Sequence, residues 1–364
     1  MLGIRNNFDP LKICMLGSIY EPDVFSRVRN SVIRKKLERL VEETAEDLTY
    51  IQRFLVNKGI EVLRPGPTQP EIFGKFIPSM LTPRDHVAMI QEKFFMPTPI
   101  LDNKWNVLRG ADWPEHVPKD LSLLPDSITR ELSDYGICQI SDLYDYDFRS
   151  LIDIEKFIID NSNPIVYDNK IDSAMYRIYG DKIYVGSNEG DDPGYIKDKI
   201  NSLFPNLKPV VFPSQGHLDG VMFIACEGLL FSSRDIPMEF YSSHFNDWEI
   251  VYNEITYDNE ETAIVDYRTK HRGKWMLDDF ESDSNLHDFV DTYLANWIGD
   301  INESVFDVNM LGLDAKNICC VRENESNFKV LEKYGITAHV LPFRHHKFWD
   351  AGIHCLTADI HRSC

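Results

Sequence analysis

Met175-Tyr176-Arg177-Ile178-Tyr179-Gly180-Asp181-Lys182-Ile183-Tyr184-Val185-Gly186 is a pair of alternating runs set around Gly-Asp. A period of two marks a strand with one face turned inward, and Gly followed by Asp between two such runs suits a two-residue hairpin turn. The period then changes. From Tyr195 to Phe204 the apolar residues fall at helical spacing, and Pro209-Val210-Val211-Phe212-Pro213 returns to a strand bounded by prolines. Residues 175 to 213 therefore predict strand, turn, strand, helix, strand.

Parts of this unit recur along the chain. Hairpins are expected where Val221–Ala225 and Leu229–Phe231 flank Cys226-Glu227-Gly228, and where Met310–Leu313 and Asn317–Val321 flank Asp314-Ala315-Lys316. His86–Ile90 and Phe94–Met96 form a looser pair around Gln91-Glu92-Lys93. The helix–strand half appears at Glu46–Leu55, which stops at Lys58-Gly59 as a glycine-capped helix does, before Ile60–Leu63. It returns at Phe328–Gly335 before Ala338–Leu341. Repetition of one supersecondary unit predicts a single α/β domain over residues 1–364 rather than two unrelated domains. Insertions are expected near 97–160, helical in part at Ile128–Leu132, and near 241–300, where Asp, Glu and Asn crowd without a clean period.

Bulk chemistry narrows the function. The net charge of -20 repels nucleic acid and anionic membrane surfaces, so neither is an expected partner. No apolar run has the length of a membrane-crossing helix, and Met1–Asn7 lacks a basic segment leading into an apolar stretch, so no secretory signal is expected. The seven cysteines are odd in number and none shows C-x-x-C spacing, which argues against a disulfide framework or a zinc site and for a reducing, cytoplasmic setting.

Three segments could carry chemistry. Cys355 stands between the glycine-bearing Asp350-Ala351-Gly352 and an alternating run, where a side chain can be presented at the end of an element; a buried structural thiol is the competing reading. In Gln215-Gly216-His217-Leu218-Asp219-Gly220, His217 and Asp219 alternate, so on an extended backbone both project to one side, a pairing suited to acid–base work and to gripping a cation. In Thr82-Pro83-Arg84-Asp85-His86 a carboxylate precedes a hairpin strand and could face the same mouth, or merely hydrogen-bond its own turn. The adjacent His345 and His346 diverge as neighbours do and read as a solvated basic loop rather than a metal pair.

These residues resemble the amidinotransferases, the family of arginine:glycine and inosamine-phosphate amidinotransferases. Phe8-Asp9-Pro10-Leu11 is similar to that family's Trp-Asp-Pro-Leu entry, Pro83-Arg84-Asp85 to its Pro-Arg-Asp step, and Gly216-His217-Leu218-Asp219 to its His-hydrophobic-Asp motif. Leu331–Thr337 and Ile353-His354-Cys355-Leu356-Thr357-Ala358-Asp359-Ile360-His361-Arg362 resemble its later motifs, so the likeness spans nearly the whole chain. The resemblance implies the pentein fold, a five-bladed α/β propeller of pseudo-fivefold ββαβ units, with no metal and no organic cofactor. Members are often dimers, so it also admits a homodimer.

The resemblance also implies roles. Cys355 would attack the guanidinium carbon of arginine and His217 would shuttle protons, oriented by an aspartate. The position aligned to that aspartate is Met175, and Asp172, or Asp168 before it, would serve after a short insertion. Asp85 and Asp219 would hold the planar guanidinium, and Arg234 the arginine carboxylate. Asn302 and Ser304 stand near the place of that family's paired serines, which meet the amino-acid end of the substrate. Gly216 replaces a methionine and leaves room beside the acceptor, which opens the acceptor's identity. The leading expectation is an arginine:glycine amidinotransferase forming guanidinoacetate and ornithine by a ping-pong course through an amidino-Cys355 intermediate. The alternatives are another acceptor, such as an inosamine phosphate, a hydrolytic pentein such as arginine deiminase, and an inactive binding relative.

Overall fold

The computed structural model describes residues 2–66, 71–72, 75–76, 79–96, 151–167, 173–187, 190–212, 214, 217–233, 238–253, 283–294 and 307–363. Strand β1 (Leu11–Leu16) leads through a 3-10 turn at Pro22–Phe25 into the long helix α1 (Ser31–Asn57) and on to β2 (Glu61–Leu63). A short pair, β3 (Glu71–Ile72) and β4 (Lys75–Phe76), precedes β5 (Ala88–Ile90), β6 (Lys93–Met96), α2 (Ile152–Asp160) and β7 (Ile165–Tyr167). There follow β8 (Tyr176–Tyr179), β9 (Lys182–Gly186), α3 (Pro193–Leu203) and β10 (Lys208–Phe212). The next set is β11 (Met222–Cys226), β12 (Leu229–Ser233), α4 (Met238–His244) and β13 (Glu249–Asn253). Helix α5 (Ser284–Tyr293) leads to β14 (Leu311–Asp314), β15 (Asn317–Cys320), α6 (Glu325–Lys333) and β16 (Thr337–Val340). The short α7 (His346–Trp349) precedes β17 (Thr357–Arg362).

Five three-stranded sheets share one grammar: β5-β6-β7, β8-β9-β10, β11-β12-β13, β14-β15-β16 and β17-β1-β2. In each, the middle strand runs antiparallel to the first and parallel to the third. A tight turn can close the antiparallel step, whereas the parallel step needs a crossover, and a helix supplies it. Gly180, at φ +60°, makes the turn between β8 and β9, a left-handed conformation that costs glycine nothing. In the last sheet no turn joins the antiparallel pair, because β17 and β1 come from opposite ends of the sequence.

The repeated unit reaches into both stretches expected as insertions. Helix α2 and strand β7 complete the second of these sheets in chain order from within 97–160 and just beyond it, and α4 and β13 complete another from the start of 241–300. The helical segment expected at Ile128–Leu132 lies outside the described residues.

Helix α1 shows why the core sits where it does. Asn30 caps it by accepting from Val32 N and Ile33 N at 3.0 and 3.3 Å. Ile33, Leu37, Leu40, Leu48, Ile51 and Leu55 follow at three- and four-residue steps or their sums and are all buried. That stripe packs into one apolar cluster with Leu16, Phe25, Phe348, Ile353, Cys355 and Leu356, so the segment bearing Cys355 has a closely packed backing.

His345 corrects one expectation. It is buried, its Nε2 lies 2.7 Å from Glu43 on α1, and it precedes the short helix α7. Packing of Phe348 and Trp349 against the core draws the turn inward, so this is no solvated loop.

Candidate active site

The residues that enter the first strand of each sheet meet one another. Ser173 N donates to the carbonyl of Arg84 at 2.9 Å, and Asp219 N donates to the carbonyl of Ala174 at 3.1 Å. Asn309 Nδ2 donates to Asp219 Oδ2 at 3.1 Å. The backbone N–H groups of His354 and Cys355 donate to Asn309 Oδ1 at 2.9 and 3.1 Å. Arg84 Nε donates to the carbonyl of His354 at 2.7 Å, which returns the series to its start. Arg84 precedes β5, Ser173 and Ala174 precede β8, Asp219 precedes β11, Asn309 precedes β14, and His354 and Cys355 precede β17. The five strand entries are thus joined in a ring of hydrogen bonds.

Cys355 lies in this ring, in the turn before β17, with 7% of its surface exposed. Its Sγ accepts from Asn309 Nδ2 at 3.0 Å and lies 3.5 Å from Asp219 Oδ2, to which the thiol donates. The same Asp219 oxygen faces His354 Nδ1 at 3.0 Å. Nδ1 therefore carries the proton, because a carboxylate oxygen can only accept. Arg177, buried on β8, donates to the carbonyl of Tyr176 at 2.8 Å and brings its other terminal nitrogen 3.3 Å from His354 Nδ1.

The charges follow from these positions. Burial pushes the Cys355 thiol well above its ordinary range, and the carboxylates of Asp219 and Asp85 push it further, so the sulfur is a thiol in the free protein. Burial also works to raise Asp219, but the hydrogen bond from His354 and the charges of Arg177 and His217 outweigh it and hold this carboxyl well below the usual range. His354 is pushed well down, first by burial and then by Arg177 and Arg84, and is neutral. Burial brings Arg177 down to about 10, still charged at neutral pH.

Asp85 ends a 3-10 turn, Pro83–Asp85, and burial together with Asp219 raises its carboxyl above the ordinary range against the pull of His217. Its Oδ1 is buried without a hydrogen bond, and His217 Nδ1 lies 3.6 Å away. A carboxylate oxygen kept from water and from donors is costly unless a donor arrives.

His217 and Asp219 do not share a face. Leu218–Gly220 is a 3-10 turn rather than extended chain, which turns the half-exposed His217 toward Asp85 and the buried Asp219 toward Cys355. Of the residues expected at the site, Cys355, Asp219, Asp85 and His217 are described; Asp172, Arg234, Gly216, Asn302 and Ser304 lie outside the described residues, as does Asp168. Sequence reasoning did not single out Asn309, Arg177 or the side chains of Arg84 and His354. Asn309 stands just ahead of a predicted hairpin, the place Asp85, Asp219 and Cys355 hold ahead of their strands, and lining up the repeats would have marked it.

No protein-family model and no curated protein sequence matches the chain. Solved structures do. The inosamine-phosphate amidinotransferase StrB1 of Streptomyces griseus superposes with a TM-score of 0.59 at 13% identity, over 100% of this chain and 97% of that one. SxtG, an amidinotransferase of the saxitoxin pathway in Microseira wollei, gives 0.60 at 12% identity over 100% and 98%. This chain has the pentein fold of the amidinotransferases. The same fold extends to the N-terminal domain of ArgZ, an arginine dihydrolase of the cyanobacterial ornithine–ammonia cycle, with a TM-score of 0.50 at 9% identity over 96% and 98%. No helix among the described residues is long and apolar enough to cross a membrane.

Proposed function

We propose that the protein is an arginine-dependent amidinotransferase that uses Cys355 as nucleophile and glycine as acceptor. One observation carries this reading: the sulfur lies in the field of two carboxylates, Asp219 and Asp85, that oppose its ionisation. Such surroundings suit poorly a neutral amide or ester, whose attack calls for a positive partner beside the sulfur. They suit a guanidinium. A planar cation held by the two carboxylates brings the positive charge that the thiolate needs, and brings it on the carbon to be attacked.

In the proposed course the Cys355 proton passes to His217 as arginine binds, and Sγ bonds to the guanidinium carbon. His217 donates a proton to the departing nitrogen, ornithine leaves, and the amidino group remains on sulfur. His217 then takes a proton from the incoming amine of glycine, whose nitrogen displaces Sγ to give guanidinoacetate. Asp85 and Asp219 hold the guanidinium. Asp172 orients His217, Arg234 meets the arginine carboxylate, Asn302 and Ser304 meet its amino-acid end, and Gly216 leaves space for the acceptor. The ring of strand entries supports a closed five-bladed propeller, with residues 1–364 as one domain carrying insertions near 97–160 and 241–300.

Incubation with arginine and a panel of amines, read by mass spectrometry, tests this. Catalytic turnover to ornithine and guanidinoacetate should need both substrates, arginine alone should release ornithine only in proportion to the enzyme, and Cys355→Ala should form neither. Guanidinylation of an inosamine phosphate instead would keep the chemistry and change the acceptor. Citrulline or urea without an amine would replace the reading with a hydrolase, and undiminished ornithine from the alanine variant would remove it.

A further inference from the structure

We infer that Asn309 is a catalytic residue of this reaction: its side-chain amide holds the Cys355 sulfur and favours the thiolate. The inference rests on the reading of Cys355 as the nucleophile.

Asn309 is fully buried, and its amide is used at both ends. Oδ1 accepts from His354 N and Cys355 N at 2.9 and 3.1 Å, while Nδ2 donates to Cys355 Sγ and Asp219 Oδ2 at 3.0 and 3.1 Å. Turning the amide over would set its two N–H donors against two backbone N–H donors and its oxygen against a carboxylate. The network therefore fixes which end faces the sulfur. A neutral thiol is a weak acceptor, whereas a thiolate is a charged one, so the Nδ2–Sγ bond strengthens as the proton leaves. It is the direct counterweight to the two carboxylates, and it travels with the nucleophile because the same side chain also grips the backbone at 354 and 355.

Gly352 belongs to this device. A methyl group there would fall 2.5 to 2.8 Å from the Asn309 side chain, which the fully packed ring cannot yield to. The glycine ahead of the nucleophile is the space that the amide occupies.

The test reads thiol chemistry without arginine. The rate of Cys355 carbamidomethylation by iodoacetamide is followed by mass spectrometry of its peptide across pH in the full chain, with folding checked by circular dichroism. Asn309→Asp keeps oxygens for both backbone N–H groups but replaces the donor that faces sulfur with a negative oxygen. Asn309→Ala removes both ends. Each should slow alkylation at least about tenfold at a given pH, the loss of one hydrogen bond to a charged group, and move the profile to higher pH. Should neither fold, Gly352→Ala displaces the unaltered amide and should slow the reaction in the same direction. Wild-type alkylation profiles in the folded variants would overturn the inference. A clear slowing, in a protein that forms no ornithine, would sustain the role of Asn309 while sinking the proposed function.

Discussion

Replacing Arg84 with methionine should destabilise the protein by an amount that depends on pH. Arg84 is 2% exposed, and it spends its guanidinium on two groups: Nε donates to the His354 carbonyl at 2.7 Å and a terminal nitrogen to Asp359 Oδ1 at 2.7 Å. Asp359 is 3% exposed and its other oxygen takes Arg362 Nε at 2.7 Å. Methionine fills similar space but leaves Asp359 with one cation and removes the Arg84 donor from His354 O. Breaking a buried pair by removing one partner costs about 3–5 kcal/mol. For 364 residues the unfolding entropy is about 0.8 kcal/mol per degree, so Tm should fall by about 4–7 °C.

The pH dependence has a definite sign. Burial works to raise the Asp359 carboxyl, but the Arg362 and Arg84 cations outweigh it and hold it well below its ordinary value. A group depressed on folding adds stability above its unfolded pKa and loses it as pH falls toward the folded one. Without Arg84 the folded Asp359 titrates higher, so acidification relieves the variant before it affects the wild type. The gap in Tm should be constant near neutrality and narrow as pH falls through the variant's Asp359 pKa. Adding Asp359→Leu should recover part of the loss, since Arg362 also donates to the carbonyls of Asp9 and Gly312 and is not stranded. Scanning calorimetry of the wild type, both single variants and the double variant between acid and neutral pH measures this. A gap that is absent at neutrality, or that widens on acidification, refutes the electrostatic account of the ring.

Two further predictions concern the site. Because burial, Asp219 and Asp85 push the Cys355 thiol well up, its alkylation in the free protein should climb steadily through neutral pH with no plateau there; a plateau near pH 7 would mean a preformed thiolate and defeat the argument for a cationic substrate. Asp85→Asn should lower kcat/KM for arginine about ten- to a hundredfold, the loss of one charged hydrogen-bond acceptor. The wild type should lose activity as acid protonates the raised Asp85 carboxyl, and the asparagine variant should lack that limb of the profile.

Local pattern made most elements legible. The hairpin read at Met175–Gly186 became β8 and β9, and the helix read at Tyr195–Phe204 became α3, because strand alternation, a Gly turn and helical spacing are all local signals. The pairing of β17 with β1 was not legible, since no turn joins strands from the two ends of the chain. Half of α1 was missed because residues 31–45 mix charges into its apolar stripe, which only the tertiary core decides. At the site, motifs pointed to Cys355, Asp219, Asp85 and His217. They gave the wrong local geometry for His217 and Asp219, because Gly220 closes a 3-10 turn where alternation suggested a strand. Asn309 and Arg177 carry no motif. Their weight lies in what reaches them from other units, over separations of 46 residues to Cys355 and 177 to His354.

The ring explains why so few positions need to carry the chemistry. Five units present the same point of their backbone, the approach to the first strand, and the side chains there differ: Arg84 and Asp85, Ser173, Asp219, Asn309, His354 and Cys355. Two of the links run through backbone alone, at Ser173 and Ala174, and so fix position without charge. The remaining links run through side chains and set the electrostatics: the cations Arg84 and Arg177 keep Asp359 and Asp219 ionised, and Asn309 stands between Asp219 and the sulfur. Exchanging a backbone link for a side-chain link would change the charge at the centre while leaving the sheets alone. A repeated scaffold of this kind can therefore vary its reaction at the strand entries and its shape in the loops between units, and the two need not compete.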